Sequence, residues 1–120
     1  MKRRKNYQSK ADGGKLHGLS EYFYENGQLL LKENYKDGKR DGPSESYFES
    51  GELETKGNYK DGKQDGLLED YYENGQLRSK VNYKDGEWEG LFEAYFENGE
   101  LEFRECLKNN EVLDISYCEK

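Results

Sequence analysis

The chain has 120 residues, 26 acidic and 19 basic side chains, with only 32% apolar residues and 38% charged ones. That length holds one domain or one short repeat array, and the low apolar share excludes a conventional two-layer core. No run approaches the ~18 apolar residues of a membrane helix, and Met1–Asn6 leads into no hydrophobic stretch; no membrane span or secretory signal is expected, and a cytoplasmic protein is.

Taken from the N-terminus, residues 1–13 read as a basic, disordered tail: Met1–His17 holds six Lys or Arg against one Asp. The rest of the chain is left with −12 of charge, since the whole carries −7. Such a body repels nucleic acid phosphates and anionic membranes and attracts basic partners. Disorder of the body is opposed by 11 Tyr, 5 Phe and 1 Trp, because aromatic side chains bury large areas.

From residue 14 to 110 the chain repeats every 24 residues. Gly18, Gly42, Gly66 and Gly90 keep that spacing, as do Gly27, Gly51, Gly75 and Gly99, and Gly14, Gly38, Gly62 and Gly86. The units are 18–41, 42–65, 66–89 and 90–113. Each carries an aromatic pair (Phe23-Tyr24, Tyr47-Phe48, Tyr71-Tyr72, Tyr95-Phe96) and a leucine (Leu29, Leu53, Leu77, Leu101). A tyrosine follows at Tyr35, Tyr59 and Tyr83, with Leu107 in its place in the last unit.

Two turn signals recur per unit: Asn26-Gly27, Ser50-Gly51, Asn74-Gly75 and Asn98-Gly99, then Asp37-Gly38, Asp61-Gly62 and Asp85-Gly86, weakened to Asn109-Asn110. Asn-Gly and Asp-Gly suit type I′ hairpins, whose two central residues need positive φ. The segments between turns are too short for helices. The spacing therefore predicts an all-β fold, an elongated single-layer antiparallel meander of eight or nine strands about 40 Å long.

Two-residue loops fix a register in which Tyr24 faces Leu29, Tyr22 faces Leu31 and Glu21 faces Lys32. One face then gathers Tyr24, Phe48, Tyr72 and Phe96 with the leucine column, Leu31, Phe103, Tyr35, Tyr59, Tyr83 and Trp88, and is the hydrophobic one. Three-residue loops would shift these pairings. The other face pairs Glu21–Lys32, Glu45–Lys56, Glu69–Lys80 and Glu93–Arg104, an ion ladder whose use is to fix register. Phe23, Tyr47, Tyr71 and Tyr95 are interleaved with it. With Glu45, Glu69 and Glu93 they are the candidate partner-binding residues, since tyrosines are favoured interface anchors; a purely structural role for the rings is the competing reading.

These columns resemble MORN repeats, in the variant form of bacterial MORN-like proteins. Tyr83-Lys84-Asp85-Gly86-Glu87-Trp88-Glu89-Gly90 is similar, apart from details of spacing, to the Tyr-x-x-Gly-x-Trp-x-x-Gly step of that family. The variant's aromatic-aromatic-Glu-Asn-Gly-Gln-Leu signature stands at Phe23–Leu29, Tyr71–Leu77 and, with Glu100 for Gln, Tyr95–Leu101. The resemblance implies a curved or twisted hairpin array, and an antitoxin or immunity-type role in a toxin–antitoxin system. Only one unit carries the tryptophan, so the lipid and cytoskeletal roles of eukaryotic members are not carried over.

Catalytic chemistry has little to rest on. His17 shares a column with Asp41, Asp65 and Glu89 and reads as a turn residue. No Cys/His set has zinc spacing, Asp37-x-x-x-Asp41 lacks the dense ligands of a calcium loop, and no glycine cluster forms a phosphate loop. No catalytic, metal or cofactor residue is expected. Cys106 and Cys118 are expected as free thiols, although a disulfide across the end strands is open to them in an oxidising compartment. Val112, Leu113, Ile115 and Tyr117 suggest that 111–120 is a capping strand, with partner docking as the alternative. The function expected is non-enzymatic protein binding, an acidic neutraliser of a basic, toxin-like partner. A carbohydrate- or lipid-headgroup-binding surface is the alternative, and self-association would cover the apolar face.

Overall fold

A computed structural model describes residues 2–3, 10–12, 15–109 and 111–119. The disorder expected of 1–13 lies largely outside the described residues. Within that stretch β1 (Lys2–Arg3) and β2 (Lys10–Asp12) pair with opposite ends of β3 (Lys15–Tyr24). Next come β4 (Leu29–Lys36), β5 (Lys39–Arg40), β6 (Gly42–Tyr47), β7 (Leu53–Lys60), β8 (Lys63–Gln64) and β9 (Gly66–Tyr71). The last four strands are β10 (Leu77–Lys84), β11 (Glu87–Tyr95), β12 (Leu101–Lys108) and β13 (Glu111–Leu113), before a 3-10 turn at Ile115–Tyr117. All neighbours are antiparallel in one open sheet that follows chain order. The molecule measures 47 × 34 × 18 Å, the thin dimension being that of a single twisted layer.

The strand count exceeds eight or nine because β5 is split from β6 and β8 from β9 just past the second turn, and because β1, β2 and β13 add at the two ends. Asp37-Gly38, Asp61-Gly62 and Asp85-Gly86 all have positive φ at both residues, and Lys36 pairs directly with Lys39: these are two-residue turns of the expected kind. Immediately after, the Asp41 N–H donates to the Asn34 carbonyl and Gly42 takes φ +109. That bulge places the chain for its next pairing, Lys32 with Glu45, and splits β5 from β6.

The first turn differs from expectation. Gly27 N–H donates to the Tyr24 carbonyl, Tyr24 N–H donates to that of Gln28, and only Gly27 has positive φ. This is a three-residue loop closed by a glycine bulge, with the Asn26 side chain accepting from Gln28 N–H at 2.9 Å. Tyr24 therefore faces Gln28, not Leu29, and Leu29 pairs with Phe23. Leu53, Leu77 and Leu101 pair likewise with Tyr47, Tyr71 and Tyr95. The leucine column thus joins the second aromatic column on the charged face. One extra residue per unit, Leu30, Glu54, Arg78 or Glu102, then bulges out and restores the register that a two-residue loop would have set.

Because the two irregularities cancel, the ion ladder stands as expected. It also continues between units, as Glu21, Lys32, Glu45, Lys56, Glu69, Lys80, Glu93 and Arg104 in successive register. The opposite face is not uniformly hydrophobic. One of its rows runs Tyr22, Leu31, Ser46, Thr55, Asp70, Ser79, Ala94, Phe103. Asp70 accepts from Thr55 Oγ1 at 3.1 Å and Ser79 Oγ at 3.2 Å in the middle of it. Among the described residues, buried apolar ones are few: Tyr24, Val81, Cys106 and Leu107. Glu33, 3% exposed, is held by Arg40 at 2.7 Å and the Tyr35 hydroxyl at 3.2 Å.

Cys106 and Cys118 form a disulfide, against the expectation of free thiols. The Lys108–Glu111 hairpin reverses the chain, and Asp114 caps the 3-10 turn by accepting from Ser116 N–H at 3.0 Å. The turn brings the Cys118 Cα to 5.8 Å from that of Cys106. The Ser116 bond holds the Asp114 carboxyl below the usual carboxylate range.

Candidate functional site

Directly opposed residues in an antiparallel pair project from the same side of the sheet. The candidates Phe23, Tyr47, Tyr71, Tyr95, Glu45, Glu69 and Glu93 therefore share one surface, and all are half-buried. The Tyr47 hydroxyl donates to Glu45 Oε1 at 3.0 Å. Burial, then the neighbouring carboxylate, pushes the Tyr47, Tyr71 and Tyr95 phenols above their ordinary range, with Glu45, Glu69 and Glu93 as the respective neighbours.

The three glutamates are flanked in register by cations on both sides: Glu45 by Lys32 and Lys56, Glu69 by Lys56 and Lys80, Glu93 by Lys80 and Arg104. Lys80 Nζ lies 3.5 Å from Glu93 Oε1. The ladder as a whole holds four acids and four bases. The ladder itself is thus electroneutral and ring-lined, and it adds nothing to the surplus negative charge.

Six of those surplus negative charges lie along one long rim. The four three-residue loops all emerge there, and Glu25, Glu49, Glu52, Glu73, Glu97 and Glu100 are exposed on them. Residues 25–28, 49–52, 73–76 and 97–100 contain no Lys or Arg. Loops are fastened to their neighbours one repeat on: Asn26 Nδ2 donates to the Glu49 carbonyl at 3.1 Å, and Asn74 Nδ2 to that of Glu97 at 2.9 Å. With two strands per repeat, equivalent glutamates recur roughly every 10 Å. The opposite rim, built from the Asp-Gly turns, alternates Lys36, Asp37, Lys39 and their equivalents and is of mixed sign.

The signal for this rim is present in the sequence as Glu25, Glu49, Glu73 and Glu97, one 24-residue column directly before the Asn-Gly or Ser-Gly steps. Charge summed over the whole body conceals it. Only the alternation of two turn types, each confined to its own rim, segregates the acid to one side.

Four tandem matches to the MORN repeat variant model cover residues 16–37, 40–61, 64–85 and 88–109. The chain belongs to the MORN repeat variant family. In this MORN array the Tyr–Gly step places Tyr35, Tyr59 and Tyr83 directly across from Gly18, Gly42 and Gly66. Arg40 takes the family's tryptophan position in one unit, where it lies over the Tyr59 ring at 5.0 Å and donates to its hydroxyl at 3.0 Å. Trp88 keeps that position in another and donates to the Tyr83 hydroxyl at 2.6 Å. No curated protein matches the chain. No helix of the described residues is long and apolar enough to cross a membrane.

Proposed function

We propose that this MORN array is a protein-binding module that receives a basic partner on its acidic rim. MORN repeats serve generally as modules for interaction with proteins or membranes. The observation that carries the proposal is the segregation of Glu25, Glu49, Glu52, Glu73, Glu97 and Glu100 onto loops without a single cation. Regularly spaced carboxylates on a rigid edge accelerate the encounter with a basic protein and exclude acidic ones. An antitoxin or immunity-type neutraliser in a bacterial cytoplasm is the role that fits such a rim best. In a reducing cytoplasm Cys106 and Cys118 would be thiols, leaving the Arg104–Glu119 pair to hold the tail.

The aromatic stripe supports the alternative, a glycan or lipid-headgroup surface, less well. The Tyr47 hydroxyl is already committed to Glu45, and the rings are half-buried between leucines and the ladder.

Capture of partners from native lysate, at low and at physiological salt, tests the proposal. The wild-type chain is expected to retain a basic protein. A variant carrying Glu49→Lys, Glu73→Lys and Glu97→Lys is expected to lose it, while Tyr47→Ala retains it. Retention by the rim variant, or capture of no protein in either salt, overturns the proposal.

A further inference from the structure

The glycine column is interrupted just past β13. Gly18, Gly42, Gly66 and Gly90 all have positive φ at the point where the chain re-enters the sheet. The next position in that column is Asp114, with φ −59 and ψ 136. The chain runs along β12 only as far as Leu113, which pairs with Cys106, and then leaves the sheet. Since Leu113 already fills the lateral place beside Cys106, Cys118 reaches its disulfide partner from over the ladder face. Glu119 arrives there too and meets Arg104 at 3.1 Å.

At each inner junction the corresponding place is filled by a strand. Glu45, Glu69 and Glu93 stand against Lys32, Lys56 and Lys80, and Ser46, Asp70 and Ala94 stand against Leu31, Thr55 and Ser79. At the fourth junction Arg104 and Phe103 hold the equivalent positions, and among the described residues no strand pairs with the outer side of Leu101–Glu105. Phe103 is 42% exposed and Leu101 47% exposed.

We propose that the outer edge of β12 from Leu101 to Arg104 is a docking slot for an extended segment of a partner protein with a glutamate–small residue–aromatic pattern. The segment adds as an antiparallel strand, its carboxylate on Arg104, its small residue beside Phe103, and its main chain on the open edge. Glu119 occupies Arg104 as an intramolecular stand-in. The slot is separate from the acidic rim and stands without it. A second copy of this chain fits less well. Its own β13 flanks the same edge of β12 and would meet the 97–100 loop, and its β3 edge is already paired with Lys2–Arg3 and Lys10–Asp12.

The probe is a fluorescein-labelled peptide with the sequence of Gly42–Tyr47, whose Glu45 and Ser46 fill the same slot within the array, titrated with the full chain and followed by anisotropy. Saturable binding is expected, with protection of the 101–105 amides from hydrogen exchange. Glu119→Gln is expected to tighten it about fivefold, and a lysine in place of the peptide's glutamate to weaken it about tenfold. Arg104→Glu should weaken it similarly; should that variant fail to fold, the Glu119 and peptide arms decide. Absence of saturation at about 1 mM of the chain, equal binding of the lysine peptide, or protection elsewhere than 101–105 overturns the proposal. So does a dimer in sedimentation that Arg104→Glu dissolves and the peptide does not, because a second copy then owns the edge.

Discussion

The Tyr24 hydroxyl donates to the main-chain carbonyl of Tyr47 at 2.7 Å, one repeat along the chain. Tyr72 does the same to Tyr95 at 2.8 Å. Between these two pairs the column holds Phe48, which has no hydroxyl to offer Tyr71, and Ser50 stands where Asn26 and Asn74 bridge the loops. This tyrosine tie therefore joins the repeats in twos, and the central junction relies on strand pairing and the Thr55–Asp70 bond instead.

Phe48→Tyr should supply the missing bond at the central junction. A net hydrogen bond of roughly 1 kcal/mol raises the melting temperature of a chain this size by about 4 °C. Tyr24→Phe should lower it by a similar amount, since the ring stays buried and only the hydroxyl is lost. Thermal melts by circular dichroism measure both; a Phe48→Tyr melt at or below the wild-type value refutes the pairing of repeats.

The ladder predicts a salt-sensitive cost. Glu69 stands between Lys56 and Lys80, so Glu69→Lys replaces two opposite-sign neighbours by two like-sign ones. The expected loss is about 1–2 kcal/mol. Most of it should vanish at about 1 M salt, where screening acts within roughly 3 Å. Urea unfolding at the two ionic strengths is the check.

Much of this fold can be read from the chain alone. The glycine lattice and the Asp-Gly steps give the period and half the turns, and opposite charges 11 residues apart, as in Glu45 and Lys56, give the register. Asn-Gly is ambiguous, because it closes a two-residue loop or ends a three-residue one. Glu25-Asn26-Gly27 takes the second form, with only the glycine at positive φ. The bulged Leu30 that compensates leaves no mark in composition, which is why the leucines change faces while the ions do not. The tail's path is not legible for another reason: it turns at Asp114, where the glycine column is interrupted, and closes by a disulfide onto the adjacent strand β12.

Arg40 compensates the carboxylate of Glu33, whose side chain is 4% exposed while that of Arg40 is 43% exposed. Arg40→Ala should cost about 2 kcal/mol, less than a fully buried pair because solvent reaches the guanidinium. Glu33→Val with Arg40→Met should recover most of it, since Val81 already fills the equivalent position two units on. Measured stabilities of the single and double variants decide this; additive losses count against it.

Breaking the disulfide should loosen the end of the array while leaving its middle intact. Cys118→Ser opens a loop whose closure is worth up to about 3 kcal/mol. Hydrogen exchange is expected to accelerate within 111–119 and along the outer half of β12, and to stay unchanged in β7 and β9. Acceleration spread evenly over all strands would mean that the repeats unfold as one body.

The tyrosines set an alkaline limit. Burial, reinforced by Glu45, Glu69 and Glu93, raises the Tyr47, Tyr71 and Tyr95 phenols above the ordinary value near 10. A group that titrates higher in the folded state contributes full stability below its unfolded value and loses it as pH rises through the folded one. Stability should therefore hold up to about pH 10 and fall beyond it, with phenolate absorbance appearing in the same interval. Replacing Tyr47, Tyr71 and Tyr95 by Phe together removes three of the groups responsible, so the fall should become shallower. An unchanged alkaline fall in that triple variant would place its cause outside the ladder face.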